Sequence, residues 1–395
     1  MNRSRLWIFQ FSLIVFILAA VAFFVPNSLP ADSDFSALYF TDLALTHNIR
    51  IYDIPAMEEL AQASSNIPPE YFFMPRFPYP PWYALSTFYL GLLPGEIAKT
   101  LWFELNLVML FLSIWFLTNG WDGRLRLVAY FIGLTFLPVI GTLSVGQYDL
   151  PVLLGTAILI YSLRREHIPL TTLGAALLTF KPHIGILILL AVLVWLLGKK
   201  NDFGRNALKF IILAGVFLFF IGFLADPAWF INYPSMLLNY QGEGNVASCS
   251  ECANLPVFTS RWFFDGSLIH ATQITFLLLV FLVAAFYLQK KTFKKSPELL
   301  LTSAVLITLI ASPYLYNYDY ILLLMPFALL AREGLANKII VLACHLVPTI
   351  ALMAYGRAAN ITLVIVTTLL TILFYLRVRS QVDVKPVTSY NTNVQ

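Results

Sequence analysis

Charged residues are scarce in this chain. Asp, Glu, Lys and Arg make up only 12% of the 395 residues, whereas hydrophobic residues make up 59%. A soluble domain carries about 25% charged residues, so this chain has about half of the charge that a water-facing surface needs. The scarcity excludes a soluble globular protein and predicts an integral membrane protein. The net charge of +4 is small, and we expect no nucleic-acid partner.

Cysteine is also rare, with three residues in the chain. Cys344 lies in an apolar run, where a thiol packs as a small hydrophobe. Cys249 and Cys252 form a C-x-x-C pair in a polar loop, but half of a zinc site needs a second pair or nearby histidines, and only His270 stands near. We therefore predict no metal and no cofactor. A local disulfide between the two loop cysteines is expected if the loop faces an oxidising compartment.

Long apolar runs dominate what the sequence does contain. A transmembrane helix needs about 20 mostly apolar residues. Runs of that size lie at residues 6–25, 97–118, 127–145, 207–224, 269–288, 338–355 and 360–376. Shorter apolar runs lie at residues 150–163, 169–180, 184–197, 298–311 and 321–331. They predict an all-α polytopic membrane protein with about 12 transmembrane helices. We expect a single transmembrane domain over residues 1–379 and a disordered cytoplasmic tail over 380–395.

The basic residues concentrate in alternate loops. Most of the 25 Lys and Arg residues lie in one set of loops, for example at Arg164, Lys200 and Lys291. The positive-inside rule places that set in the cytoplasm. Prolines lie at both ends of residues 81–94. A chain with twelve spans and both ends inside requires that this segment form a re-entrant or interfacial helix that makes no net crossing of the membrane. Residues 1–25 have one alternative reading, a cleaved signal peptide, because Ala-Val-Ala at 20–22 resembles a cleavage site.

Two extracytoplasmic loops are long, at about residues 26–96 and 225–268. In the first, residues 54–63 have a proline at their second position and apolar side chains at helical spacing. This pattern predicts an interfacial helix, with a solvated loop helix as the alternative. Aromatic residues also cluster there, among them Tyr79, and form either an interfacial belt or a platform under a sugar or an isoprenoid.

Uncommon polar motifs collect on the same side. The short extracytoplasmic loops contain GQYD (146–149), KPH (181–183) and SPYLYNYDY (312–320), whereas the cytoplasmic loops are short and basic. Polar residues near the hydrocarbon boundary are costly, so they usually mark a pathway or a site. The asymmetry predicts a functional site on the extracytoplasmic face.

The first long loop opens with two carboxylates, Asp32 and Asp34. Ser33 or Asp34 can cap a short helix in which Tyr39 also falls at helical spacing. A carboxylate in the first turn is favoured as the anion by the helix dipole. An ionised carboxylate at the membrane surface suits a general base that takes a proton from a substrate hydroxyl. Asp34 is our candidate base, Asp32 is the competing candidate, and a helix cap without catalytic function is the alternative.

Lys181 ends an apolar run, where an unpaired ammonium is expensive and should meet an anion. A lipid phosphate is one such anion. The alternatives are a snorkelling anchor and a structural ion pair with Asp149 or Asp319. Gln147, Asn317 and Asp319 are candidates to hold sugar hydroxyls, with helix-end caps as the alternative for each.

Five motifs together resemble glycosyltransferase family 87. They are DSDFSALYFTDLAL, FPYPP, GQYDLPVLL, LLTFKPHIG and SPYLYNYDY, and they occur in the family's order over roughly residues 30–325. The family comprises bacterial polyprenyl-phosphate-mannose-dependent alpha-mannosyltransferases with the GT-C fold, in which jacket helices follow the first span. Asn254 and Arg261 in the second long loop are a looser match.

The resemblance implies an inverting transfer of a hexose, mannose in the family, from a polyprenyl-phosphate donor to a glycolipid or glycan acceptor. It implies an extracytoplasmic site in the bacterial inner membrane, with Asp34 as the base and the departing phosphate held by Lys181, helped by Arg261 or Tyr318. The expected substrate-binding residues are Asp32, Tyr39, Tyr79, Gln147, Lys181, Asn254, Arg261, Asn317, Tyr318 and Asp319.

One departure from the family concerns the motif after Ser-Pro. Some members have a histidine there, where this chain has tyrosines and Asn317. Its task must fall to Asn317, Tyr318 or Asp319, or to no residue. The competing function is a polytopic transporter or a flippase of a lipid-linked saccharide, which would place ionisable residues near mid-membrane, usually with repeat symmetry.

Overall fold

The computed structural model describes residues 34–64, 77–238, 252–264, 268–288, 293, 296–312 and 314–380, and their regular secondary structure is entirely helical. The predicted span at residues 6–25 and the tail after residue 380 lie outside this part of the chain. The all-α prediction is confirmed for the part that is described.

The described residues form the following helices, in chain order. Before the first long helix come α1 (Asp34–Thr46), α2 (Ile54–Ser64), α3 (Pro81–Thr87) and a 3₁₀ turn (Phe88–Leu92). The next are α4 (Gly95–Leu117), α5 (Gly123–Thr135), α6 (Leu137–Val145), α7 (Asp149–Arg165), α8 (Ile168–Leu178), α9 (Pro182–Gly198), α10 (Asp202–Ile221) and α11 (Trp229–Leu238). The last are α12 (Leu255–Phe263), α13 (Leu268–Tyr287), α14 (Pro297–Ala311), a 3₁₀ turn (Asn317–Leu323), α15 (Leu324–Ala331), α16 (Gly334–Tyr355) and α17 (Ile361–Ser380).

The described helices make this chain a multi-pass membrane protein. Five of them are long and apolar enough to cross a membrane, or six if α5 and α6 are one broken span. These five coincide with predicted runs at residues 97–118, 207–224, 269–288, 338–355 and 360–376. Four of the five shorter predicted runs form helices of 11 to 17 residues. The fifth, at residues 321–331, falls on the 3₁₀ turn (Asn317–Leu323) and the eight-residue α15. A helix of 17 residues is about 25 Å long, slightly less than the hydrocarbon core.

The apolar run predicted at residues 127–145 is present as two helices, α5 and α6, instead of one. The chain bends by 58° between α5 and α6, where Phe136 has extended backbone angles. Pro138 accounts for the break, because it has no N–H to donate to the carbonyl four residues earlier and its ring collides with that carbonyl. It is tolerated in the first turn of α6, where N–H groups have no partner within the helix.

Two helices form the centre of the bundle. Fourteen of the 17 residues of α7 and fourteen of the 15 residues of α14 are buried. A helix that is apolar on every side belongs in an interior position. Helix α8 packs closely on α7, because a Cβ on Gly155 would lie 2.8 Å from the carbonyl oxygen of Gly174. Small residues at such crossings let two backbones approach.

The first long loop packs against the start of the bundle. Residues 81–94 form α3 and the following 3₁₀ turn, and each is too short to cross a bilayer. The 3₁₀ turn lies on α1, where a Cβ on Gly91 would stand 2.4 Å from the backbone of Asp42. The helix predicted at residues 54–63 is present as α2, and its position at a membrane interface stays a prediction.

Candidate active site

Asp34 is the first residue of α1 and lies against the loop between α6 and α7. Its Oδ2 accepts a hydrogen bond of 2.9 Å from Nε2 of Gln147. The hydroxyl of Tyr148 donates to the backbone carbonyl of Asp34. Gly146 makes this approach possible: it has a φ of +70°, and a Cβ there would lie 2.6 Å from Cβ of Phe35. The glycine of GQYD therefore allows α1 to reach Gln147.

The amide of Gln147 is oriented by its other partners. Its Oε1 accepts from the backbone N–H of Tyr148 at 2.9 Å and from the hydroxyl of Tyr79 at 3.3 Å. Because two donors face the amide oxygen, the amide nitrogen must face Asp34. Tyr79 and Tyr148 also pack edge to face, with ring centroids 4.6 Å apart. The FPYPP and GQYD motifs thus fix one face of the Asp34 carboxylate.

Lys181 lies between two carboxylates. Its Nζ is 2.6 Å from Oδ1 of Asp149 and 2.6 Å from Oδ1 of Asp319. The side chains of all three residues are at most 2% exposed. A buried ammonium is tolerated only when it is paired, so the structure contains the ion pair that the sequence left as one alternative, with both named partners together. One of the three N–H donors of Lys181 is left for another acceptor.

The loop after α14 supplies the rest of the site. The second carboxylate oxygen of Asp319 accepts from the backbone N–H of Tyr316 at 2.6 Å. The ring of Tyr318 lies under the ammonium of Lys181, with Nζ 5.2 Å from its centroid, which is a cation–π distance. Tyr316 and Tyr318 stack with centroids 5.1 Å apart. Thr142 on α6 donates to the backbone carbonyl of Tyr318 at 3.3 Å.

The second long loop reaches the same site. Cys252 forms an isolated β-bridge with Tyr316, and the N–H of Ala253 donates to the carbonyl of Leu315 at 2.8 Å. Cys252 is disulfide-bonded, Cys344 is free, and Cys249 lies outside the described residues.

Burial changes the acidity of Asp34. Desolvation raises the pKa of Asp34 from 3.8 to about 6; the Lys181 ammonium opposes this rise and the Asp319 carboxylate adds to it. A carboxylate with this pKa is mostly ionised near neutral pH and is a much stronger base than an exposed aspartate. General bases work best when their pKa is close to the operating pH. Asp34 therefore has the environment of a proton acceptor.

The family is decided by a comparison with known families. A model of glycosyltransferase family 87 matches residues 77–313, more than half of the chain. This chain belongs to glycosyltransferase family 87. It is therefore a membrane glycosyltransferase, which moves a sugar from a donor to an acceptor. Searches among curated proteins and among solved structures found no match.

Six of the residues predicted for this family 87 glycosyltransferase come together in the structure. They are Asp34, Tyr79, Gln147, Lys181, Tyr318 and Asp319. Asp34 and Asp319 both lie outside the matched segment 77–313, Asp34 well before its start and Asp319 shortly after its end. The structure, rather than the family match, therefore connects these two carboxylates with the motifs between them.

The other predicted residues take different positions. The hydroxyl of Tyr39 donates to the carbonyl of Leu93 at 3.0 Å. Asn254 is fully buried and caps α12, where its Oδ1 accepts from the backbone N–H of Val257 at 2.8 Å. Arg261 is in the last turn of α12, and Asn317 begins the 3₁₀ turn, half-buried. Asp32 lies outside the described residues.

Sequence reasoning missed two residues of the site in this glycosyltransferase. The hydroxyl of Tyr148 donates to the backbone carbonyl of Asp34, although only Gln147 and Asp149 of GQYD were assigned a function from the sequence. His183 follows the KP motif and stands edge to face with Tyr314, with ring centroids 5.8 Å apart. Its Nε2 is buried and has no partner among the described residues. An imidazole from KPH thus stands beside the Ser-Pro loop in which some family members have their histidine.

Proposed function

We propose that this enzyme transfers a hexose, mannose by family resemblance, from a polyprenyl-phosphate donor to a hydroxyl of a glycolipid or glycan acceptor. The reaction takes place at the extracytoplasmic face of the bacterial cell membrane and inverts the anomeric configuration. One observation carries the proposal: Asp34, with its pKa raised to about 6, is held by Gln147 at 2.9 Å in a cluster with a buried cation.

The chemistry is a single displacement at the anomeric carbon. Asp34 accepts the proton of the acceptor hydroxyl as its oxygen forms the new glycosidic bond. The bond between the anomeric carbon and the phosphate oxygen breaks at the same time, so the phosphodiester with one negative charge leaves as a polyprenyl monophosphate with two. Proton removal and charge separation coincide, and positive groups at the leaving phosphate lower the barrier. Attack opposite to the leaving group gives inversion.

Lys181 has a double task in this proposal. It neutralises one of its two carboxylate partners, and its remaining N–H donor is directed to the phosphate together with the hydroxyl of Tyr318. If both carboxylates are ionised, the cluster keeps one net negative charge, which opposes phosphate binding. We therefore propose that Arg261, from the second long loop, supplies the additional positive charge. Its loop is joined to the site loop by the bridge between Cys252 and Tyr316.

The helices that carry the site support its orientation. Helix α7 begins with Asp149 and ends with Arg164 and Arg165, and α9 follows Lys181 and ends just before Lys199. The acidic site and the basic ends are thus separated by the length of a helix, about 25 Å. The positive-inside rule places the basic ends in the cytoplasm and the site outside.

Twelve spans follow if each broken helix counts once. The bent pair α5–α6 and the pair of the 3₁₀ turn (Asn317–Leu323) with α15 are then single spans, and the span predicted from the sequence at residues 6–25 is counted as the first. In this arrangement α1, α2 and α3 lie outside the membrane as the jacket helices of a GT-C fold.

The assay is transfer of radiolabelled mannose from polyprenyl-phosphate-mannose into membrane glycolipid by the purified, reconstituted enzyme. Asp34→Asn keeps an oxygen that can accept from Gln147 but cannot take a proton. We expect turnover to fall by about 10²–10⁴, the usual worth of a general base, while donor binding is preserved.

Asp32→Asn is the matched control, because it removes the same charge from the same loop. It should keep most of the activity. Equal, modest losses in both variants would mean that only the charge of the loop matters, and an inactive Asp32→Asn with an active Asp34→Asn would move the base to Asp32. Transfer from a nucleotide sugar in place of the lipid donor would overturn the donor class.

A further inference from the structure

A cavity lies at the opposite end of the bundle from the site. It is an apolar groove of about 240 Å³ between α4, α5, α15 and α16. Its floor consists of buried side chains such as Leu117, Phe327 and Val341, whereas Val128 and Leu342 on its rim are about half exposed. The groove therefore opens sideways, toward the position of the lipid.

The two ends of the groove differ in polarity. On α15 it is lined from Leu324 to Ala331, a distance of about 10 Å along the helix. At the Ala331 end it reaches Trp121 and Lys338. This is the end at which Arg332 donates to the backbone carbonyl of Asn119 at 3.2 Å, among the basic helix ends. The groove is thus apolar along its length and polar at one end.

The polar end offers hydrogen-bond donors. Nε1 of Trp121, which lines the groove, is buried and has no partner in the part of the chain that the structure describes. Lys338 contributes an ammonium at the same end. Arg126 stands beside the groove: its Nη2 donates to the backbone carbonyl of Thr118, a groove residue, at 3.3 Å, and its buried Nε has no partner among the described residues. An unpaired buried N–H is costly, and the two donors in the groove with this guanidinium beside them suit an anion. The nearby acid Asp122 is engaged with the backbone N–H of Arg124.

Glu333, which directly precedes α16, is also engaged, because it forms an ion pair with Arg377. We infer that the groove binds an anionic glycerophospholipid of the inner leaflet, with one acyl chain along α15 and its phosphate at Trp121, Arg126 and Lys338. Juxtamembrane cations attract anionic lipid headgroups, and the apolar walls accept the chain. The site is separate from the transfer site and does not depend on which sugar the enzyme transfers.

The test uses the full-length protein in vesicles of phosphatidylcholine that contain a minor fraction of phosphatidylglycerol. Either lipid carries a diazirine in its acyl chain, and the cross-linked peptides are identified by mass spectrometry. We expect labelling by phosphatidylglycerol on α5 and α15. Lys338→Gln should lower its retention, measured by native mass spectrometry, about fivefold, the effect of one juxtamembrane cation.

Two further variants make the result specific. Ala328→Trp fills the groove and should abolish labelling by both lipids. Lys200→Gln removes a basic residue from the same side outside the groove and should change nothing. Because Lys338 is exposed, its substitution tests the site even if Ala328→Trp fails to fold.

Three outcomes would overturn the inference. One is equal labelling of the groove by both lipids with no effect of Lys338→Gln. Another is labelling by phosphatidylglycerol that leaves the groove unlabelled and is confined to other parts of the protein. The third is a cross-link from Ala328→Cys to residues 6–25, which would show that the first span fills the groove.

Discussion

The acidity of Asp34 predicts the pH dependence of transfer. With a pKa of about 6, Asp34 is about 9% ionised at pH 5 and about 99% ionised at pH 8, so kcat/KM at pH 5 should be about a tenth of its value at pH 8. With the ordinary value of 3.8, about 94% would be ionised at pH 5, and the two rates would nearly agree. The base must be deprotonated to act, so activity falls as the pH falls through 6.

The assay is initial transfer rate at low donor concentration between pH 5 and pH 8, with thermal unfolding measured at each pH as a control for stability. The two charged neighbours of Asp34 should move the acidic limb in opposite directions. Asp319→Asn removes a negative charge and should shift the limb to lower pH, whereas Lys181→Gln removes a positive charge and should shift it to higher pH. A flat profile in the native enzyme, or the same shift in both variants, would refute the reasoning.

Three further predictions concern the structure around the site. Lys181→Met leaves two buried carboxylates unpaired and should lower the free energy of unfolding by about 3–5 kcal/mol, measured as a lower midpoint of thermal unfolding. Asp319→Asn leaves a neutral pair and should lower it much less. Equal losses would contradict the ion-pair account. Gly146→Ala forces a left-handed backbone, at about 1–2 kcal/mol, and should lower turnover more than donor binding; unchanged kinetics would show that α1 does not need this close approach. In a cysteine-free background, a membrane-impermeant maleimide should label Asn66→Cys but not Lys200→Cys in intact cells, and the reverse pattern would invert the topology.

The long spans could be predicted because each apolar run is a local property of the sequence. The bend at Phe136 was not predicted, although Pro138 is visible, because a proline near the start of a helix can be accommodated without a break. Tyr39 was grouped with Asp34 because both belong to one short helix. Five residues along a helix correspond to a rotation of about 140°, which directs Tyr39 to Leu93 instead.

Asp149 and Asp319 could be named from the sequence as possible partners of Lys181, but the sequence could not decide between them and a lipid phosphate. Asp149 and Asp319 are 32 and 138 residues away, and no local pattern measures such separations. Burial without a partner is costly, so an anion was certain to be near. Whether it came from a lipid or from the protein depended on how α7, α9 and α14 pack. The same applies to His183, whose neighbour Tyr314 comes from a distant motif.

Lys181 and its two carboxylate partners, Asp149 and Asp319, are inserted at different times during synthesis. Asp149 begins α7 and Lys181 directly precedes α9, both in the first half of the chain, so after insertion of α7 to α9 they can form a neutral pair. Asp319 belongs to the last third of the chain and therefore reaches the membrane later than the other two residues. The nascent chain can then hold a balanced pair while later helices insert. Burial raises the pKa of Asp34, and the second carboxylate, whose negative charge adds to that rise, joins the pair afterwards. The cluster is therefore completed late in membrane assembly, while α16 and α17 still have to insert, and we expect a chain that stops before residue 319 to lack transfer activity.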